Sequence, residues 1–99
     1  MKLGDTVLKV RSKNAGPFWV TIDIFCDKPD VYRMVRDRLS NAAVAGLYKV
    51  PEQILKRFDI EDLRVIKFSV PRPVVQGSAA DRDMHGAQYA ALLEEHELG

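Results

Sequence analysis

Apolar and polar positions alternate most cleanly over residues 18–26. Phe18, Val20, Ile22, Ile24 and Cys26 interleave with Trp19, Thr21, Asp23 and Phe25. A period of two aims the two sets at opposite sides of a sheet, so the segment predicts a half-buried strand. Residues 6–11 predict a shorter strand, with Leu8 and Val10 on one side and Val7, Lys9 and Arg11 on the other. Ser12-Lys13-Asn14-Ala15-Gly16-Pro17 lies between them and has the composition of a turn, so the two strands predict a hairpin. Residues 63–70 predict a third strand with Ile66, Phe68 and Val70 on one side. Pro71 and Pro73 end its pairing.

After residue 26 the period becomes helical. Asp27 stands where it can cap a helix whose first turn holds Pro29 and Asp30. Val31, Met34, Val35 and Leu39 form its buried stripe, with Arg33, Arg36, Asp37 and Arg38 mainly outside it. Ser40 predicts the cap of a helix over 41–48, in which Val44, Leu47 and Tyr48 share a side. Gly46 either weakens that helix or admits a close neighbour. Pro51 predicts the first turn of a further helix carrying Ile54, Leu55 and Phe58. Residues 74–80 predict a connector, 81–86 a polar turn, and 87–95 a last helix through Tyr89, Leu92 and Leu93. A short strand is the alternative for the tail at 93–98. The element order lacks a βαβαβ alternation and so argues against a doubly wound parallel sheet. The economical fold is α+β: a small, mainly antiparallel sheet with helices packed on one face, ferredoxin-like in layout, with residues 1–99 as a single domain.

Composition sharpens this reading little, and charge more. A chain of 99 residues that is 46% hydrophobic and 29% charged fits one globular domain. Fifteen Lys and Arg against fourteen Asp and Glu leave a net charge of +1, too little to attract nucleic acid or an anionic membrane through a global field. The single Cys26 excludes an internal disulfide. Together with the lack of an apolar signal core or spanning stretch, it makes the cytoplasm the expected compartment.

Two polar segments hold the candidate chemistry. Arg11, Ser12, Lys13, Asn14 and Gly16 place two cations, a hydroxyl and an amide in a loop where glycine frees the backbone. Such a loop can turn side-chain and N–H donors toward one carboxylate or phosphate. The competing reading is a hairpin connection with solvated charges, and the Walker pattern is absent. In the second segment Asp81, Asp83 and His85 occupy alternate positions. They could hold a divalent cation if extended, whereas turn formation and capping of the next helix is the simpler reading. One cysteine and two distant histidines disfavour zinc. Cys26 reads as a small core residue and His96 as solvated in an acidic tail; Trp19 and Phe25 read as side chains buried under helices, with exposure for a partner as the alternative. Arg33, Arg36 and Arg38 with Arg11 and Lys13 could form a basic patch for RNA, but Asp30 and Asp37 interrupt it.

The segment Arg-Ser-Lys-Asn-Ala-Gly-Pro-Phe at 11–18, followed by Thr21-Ile22-Asp23-Ile24, resembles the opening of a family of uncharacterised bacterial proteins of about this length. Residues 66–72, Gly77-Ser78, Asp81-Arg82-Asp83 and Gly86-Ala87-Gln88 resemble the rest of that family's signature, in the same order over nearly the whole chain. More distantly, the layout is similar to the small ferredoxin-like domain of acyclic terpene utilisation proteins of the AtuA type. There the hairpin loop is also Arg-Ser-x-x-x-Gly, and the small domain is either fused behind a large AtuA-type domain or made as a separate short chain. A histidine often stands at the position of Tyr89 and a proline at that of Ala91, so this chain departs from that group at its tail.

The resemblance implies the small subunit of a heteromeric catabolic enzyme with a large AtuA-like partner. The implied substrate is an organic acid or acyl-CoA, and the implied reaction a lyase or hydro-lyase one. The expected site joins the two polar segments at one end of the sheet, with Arg11, Lys13 and Asn14 as donors, Asp81 and Asp83 as acceptors and Gln88 as an orienting amide. No membrane or nucleic-acid partner is expected. The rivals are a purely structural subunit and a free-standing small enzyme, which would need a homodimer to build a pocket.

Overall fold

The cleanly alternating segment lies inside the sheet. The computed structural model describes residues 1–16, 18–71 and 89–98. Helix α1 covers Leu3–Thr6, β1 Lys9–Asn14, β2 Trp19–Phe25, α2 Pro29–Arg38, α3 Asn41–Tyr48, β3 Lys56–Ile60, β4 Val65–Pro71 and α4 Tyr89–Glu94. Single 3₁₀ turns cover Glu52–Ile54 and Glu61–Leu63. The sheet order is β1-β2-β4-β3, and every neighbouring pair is antiparallel.

Register decides which side chains share a face, because directly opposed residues of an antiparallel pair project to the same side. Val10, Ile24, Ile66 and Asp59 make one cross-strand row, and Ser12, Ile22, Phe68 and Arg57 the next. The apolar members of these rows, with Val20 and Val70, are buried against Leu3, Tyr32, Val35, Val44, Tyr48, Tyr89 and Leu93 from the four helices. The domain is therefore α+β, with an antiparallel sheet and its helices on one face, as the hydrophobic pattern predicts.

Several local expectations change. Asp27 does not cap α2. The cap position is Lys28, with no side-chain hydrogen bond, and Asp27 is left-handed at φ 69°. Lys28 N–H donates to Cys26 O at 2.8 Å, so Asp27 is spent on a tight three-residue turn. Tyr32, outside the expected stripe, is the most buried large side chain of α2 together with Val35. Ser40 does cap α3, accepting from Ala43 N–H at 3.1 Å. Among the described residues nothing approaches Gly46, so none of them requires it. The helix expected after Pro51 stops at one 3₁₀ turn, and residues 56–60 become β3, which pairs with the outer edge of β4. The first strand starts at Lys9 and continues through Asn14, leaving Leu8 63% exposed and Val7 buried.

The ends of the described chain are tied together. Leu3 N–H donates to His96 O, Leu98 N–H donates to Met1 O, and Lys2 bridges Glu97 as an isolated β-pair. A Cβ at Gly4 would lie 3.0 Å from the Glu94 Cβ, so glycine permits the close approach of α1 to α4. The tail is thus helical to Glu94, and its strand-like pairing is confined to Glu97. Among the described residues no helix is long and apolar enough to cross a membrane.

Candidate functional site

Arg11, Ser12, Lys13 and Asn14 are not loop residues. They form the second half of β1, opposite Asp23, Ile22, Thr21 and Val20. The expectation of a flexible loop presenting its own backbone N–H groups is therefore corrected: this stretch is spent on a sheet ladder. Charged residues suit it because β1 is an edge strand with one side facing away from the core. What the segment offers is side chains at two-residue spacing. Lys9, Arg11 and Lys13 share one side and are exposed, and Val10 and Ser12 face the helices. Gly16 follows the strand at φ 77°, where a side chain would be strained although the space is open. Ala15 N–H closes the turn on Trp19 O at 2.8 Å.

Arg11, Ser12, Lys13, Asp23 and Phe25 line a shallow cleft of about 130 Å³. Both cations, one carboxylate and one ring thus meet at a single place. Lys9 Nζ sits 5.1 Å from the centre of the Phe25 ring, a cation–π distance. Asp23 Oδ1 and Thr21 Oγ1 are occluded without a hydrogen-bond partner among the described residues. A second open depression, of about 270 Å³, lies at the start of α2 among Tyr32, Arg33, Glu61, Asp62 and Arg64. Its charges are mixed.

Asp81, Asp83, His85 and Gln88 lie outside the described residues, as does all of 72–88. Of the described residues flanking that segment, one meets β2 and one meets β1. Pro71 opposes Trp19 at the sheet end where β1 finishes and β2 begins. Ala90 N–H, in the first turn of α4, donates to Ser12 Oγ at 2.9 Å. Ser12 is therefore a tether: it satisfies an N–H that the short helix leaves without an internal partner. Ser12→Ala is expected to cost about 1 kcal/mol and to speed amide exchange at Ala90 more than in β2. Unchanged exchange at Ala90 would contradict this role.

The remaining candidates resolve individually. Cys26 is 2% exposed, and burial pushes its thiol up to about 11, so it stays protonated at neutral pH and is a core residue. Trp19 and Phe25 are not covered by any of the described helices. They lie half-buried on the opposite face, where Lys56 Nζ stands 5.1 Å from the Trp19 ring. The basic patch weighed for RNA is split. Arg33, Arg36 and Arg38 belong to α2, on the other side of the sheet from Arg11 and Lys13, and Arg36 Nε is engaged by Asp37 at 3.0 Å. Lys56 and Lys67 take their place beside the β1 cations. Alternation of charge at 9, 11 and 13 was the signal for this face, though it is the reverse of the apolar alternation by which strands are found. Among the described residues no group of three potential metal ligands occurs.

The model of a domain of unknown function, DUF4387, matches residues 3–97. The chain belongs to the DUF4387 family. No curated protein and no solved structure matches it. The DUF4387 match spans β1, the cleft and α4 together, so the arrangement around Ser12 lies within one family domain. The likeness to the AtuA-type small domain is not part of that match.

Proposed function

We propose that this DUF4387 chain is the small subunit of a heteromeric catabolic enzyme with an AtuA-like large subunit. It contributes Arg11 and Lys13 to a boundary site for an organic acid or acyl-CoA. The observation that carries this reading is the cleft itself. Two exposed cations two residues apart on a rigid strand flank a hollow that also holds Asp23 and Phe25. Fixed cations of this kind hold a carboxylate or phosphate by charge-assisted hydrogen bonds and stabilise charge that develops beside it. At about 130 Å³ the cleft is too small to bury such a substrate, since ligand pockets run from about 300 to 1,000 Å³. In this reading a second chain supplies further walls. Asp81 and Asp83 as acceptors and Gln88 as an orienting amide enter this reading from the sequence alone. The reaction class, a lyase or hydro-lyase, comes from the resemblance alone.

The test is turnover by the chain co-expressed with the large AtuA-type subunit, assayed across a panel of short organic acids and acyl-CoA thioesters. Arg11→Ala and Lys13→Ala are expected to leave assembly intact and to lower kcat/KM by about tenfold or more. Unaltered kinetics in both variants would remove the clamp and leave a structural subunit.

A further inference from the structure

The four described helices all pack on one side of the sheet, and none of them covers the other side. Register assigns its rows. Lys9, Phe25, Val65 and Ile60 form one; Arg11, Asp23, Lys67 and Phe58 the next; Lys13, Thr21, Ser69 and Lys56 the third, with Trp19 and Pro71 at the end. Five cations and one carboxylate therefore share this face, on a chain whose net charge is only +1. Phe58 is 50% exposed at its β3 edge. Asp23 Oδ1 and Thr21 Oγ1, near its centre, are shielded from water and have no hydrogen-bond partner among the described residues. Buried acceptors in that state cost stability until a donor reaches them.

The geometry points to this sheet face as the docking surface for an acidic protein surface. The occupant is the large subunit of the proposed enzyme, with carboxylates opposite Lys9, Lys56 and Lys67 and an N–H or O–H donor over Thr21 and Asp23. The inference rests on the subunit reading and extends it from one cleft to a whole interface. Charge complementarity selects the chemistry. A second copy of this chain would oppose like charges. A single-stranded nucleic acid would bring phosphates against Asp23, and it would find the Trp19 and Phe25 rings already engaged by Lys56 and Lys9. A protein surface can meet the cations at the rim, the exposed Phe58 ring and the two central acceptors together.

The experiment compares two double variants with equal changes in charge. Lys56→Glu/Lys67→Glu alters the open face away from the Arg11–Lys13 cleft, whereas Lys28→Glu/Arg33→Glu alters the opposite side, at α2. Affinity for the large subunit is measured at low salt and at about 0.5 M salt, with thermal melting to check folding. The sheet-face variant is expected to bind about tenfold more weakly at low salt and to lose most of its salt dependence, while the α2 variant stays within about twofold of wild type. Equal affinity of both variants in a complex that still forms overturns the docking face and leaves the subunit reading intact. Failure of the wild-type chain to bind the large subunit at all removes both. Salt-sensitive binding of a single-stranded oligonucleotide by the wild-type chain alone, lost in Lys56→Glu/Lys67→Glu, replaces the protein occupant with nucleic acid.

Discussion

Arg57→Ala is expected to cost about 3 kcal/mol of folding stability and to lower the melting temperature by about 15 °C. The Arg57 side chain is only 14% exposed, and its guanidinium makes four hydrogen bonds. One terminal nitrogen donates to Leu39 O at 2.6 Å and Asn41 Oδ1 at 3.1 Å, and the other donates to Arg36 O at 2.9 Å. Nε donates to Asp59 Oδ1 at 2.8 Å. Helix α2 ends at Arg38, where the last carbonyls have no intrahelical donor. Arg57 supplies two of those donors from β3 and ties the start of α3 to the same group. Alanine leaves the carbonyls unmet and Asp59 without its partner. Arg57→Lys keeps the charge but loses the planar fork, so it is expected to recover less than half of the loss. Guanidinium chloride denaturation checks both variants; a loss below about 1 kcal/mol for alanine would show that water replaces the fork at little cost.

Arg57 also shows why part of the fold was legible in the sequence and part was not. Central strands are read from apolar alternation, and β2 and β4 have it because both lie between other strands over the core. Edge strands escape the same test. On β3 the positions turned toward the helices carry Arg57 and Asp59, while Phe58 and Ile60 face outward. That inverts the usual pattern, and Ile54, Leu55 and Phe58 then mimic a helix. On β1 the polar run from Arg11 to Asn14 reads as a turn when taken alone, because its pairing with β2 is a long-range fact. Helix α3 was legible to the residue, since Ser40 marks its start locally. Asp27 misled because a carboxylate before Pro29 suits a cap and a tight turn equally well.

The candidate site divides along the same line. The grouping of Arg11 with Lys13 was visible in the sequence, and the strand places them side by side. Lys56, Lys67, Asp23 and Trp19 were not visible as their neighbours, because only strand order and register bring residues from four strands to one face. The tether from Ser12 to Ala90 was equally hidden, since it spans 78 residues of chain.

Phe68→Ala is expected to cost about 4 kcal/mol, the largest effect of any single change considered. Phe68 is fully buried on β4, opposite Ile22 on one side and Arg57 on the other, so its removal leaves a cavity under the helices. The Arg57 guanidinium lies 5.4 Å from its ring, and the two losses should therefore not add. The double variant Arg57→Ala/Phe68→Ala is expected to cost about 1 kcal/mol less than the sum of the singles. Full additivity would mean that the ring and the cation act independently. A domain with a total stability of about 5–15 kcal/mol has little margin for such a loss, so Phe68→Leu serves as the milder companion. The leucine variant also separates stability from function. Phe68 faces the helices, whereas Lys67 and Ser69 on the same strand face the open side. Phe68→Leu should lower the melting temperature while leaving the salt-dependent affinity for the large subunit unchanged. Lys56→Glu/Lys67→Glu should do the reverse, because the sheet separates the residues that hold the fold from those of the proposed docking face.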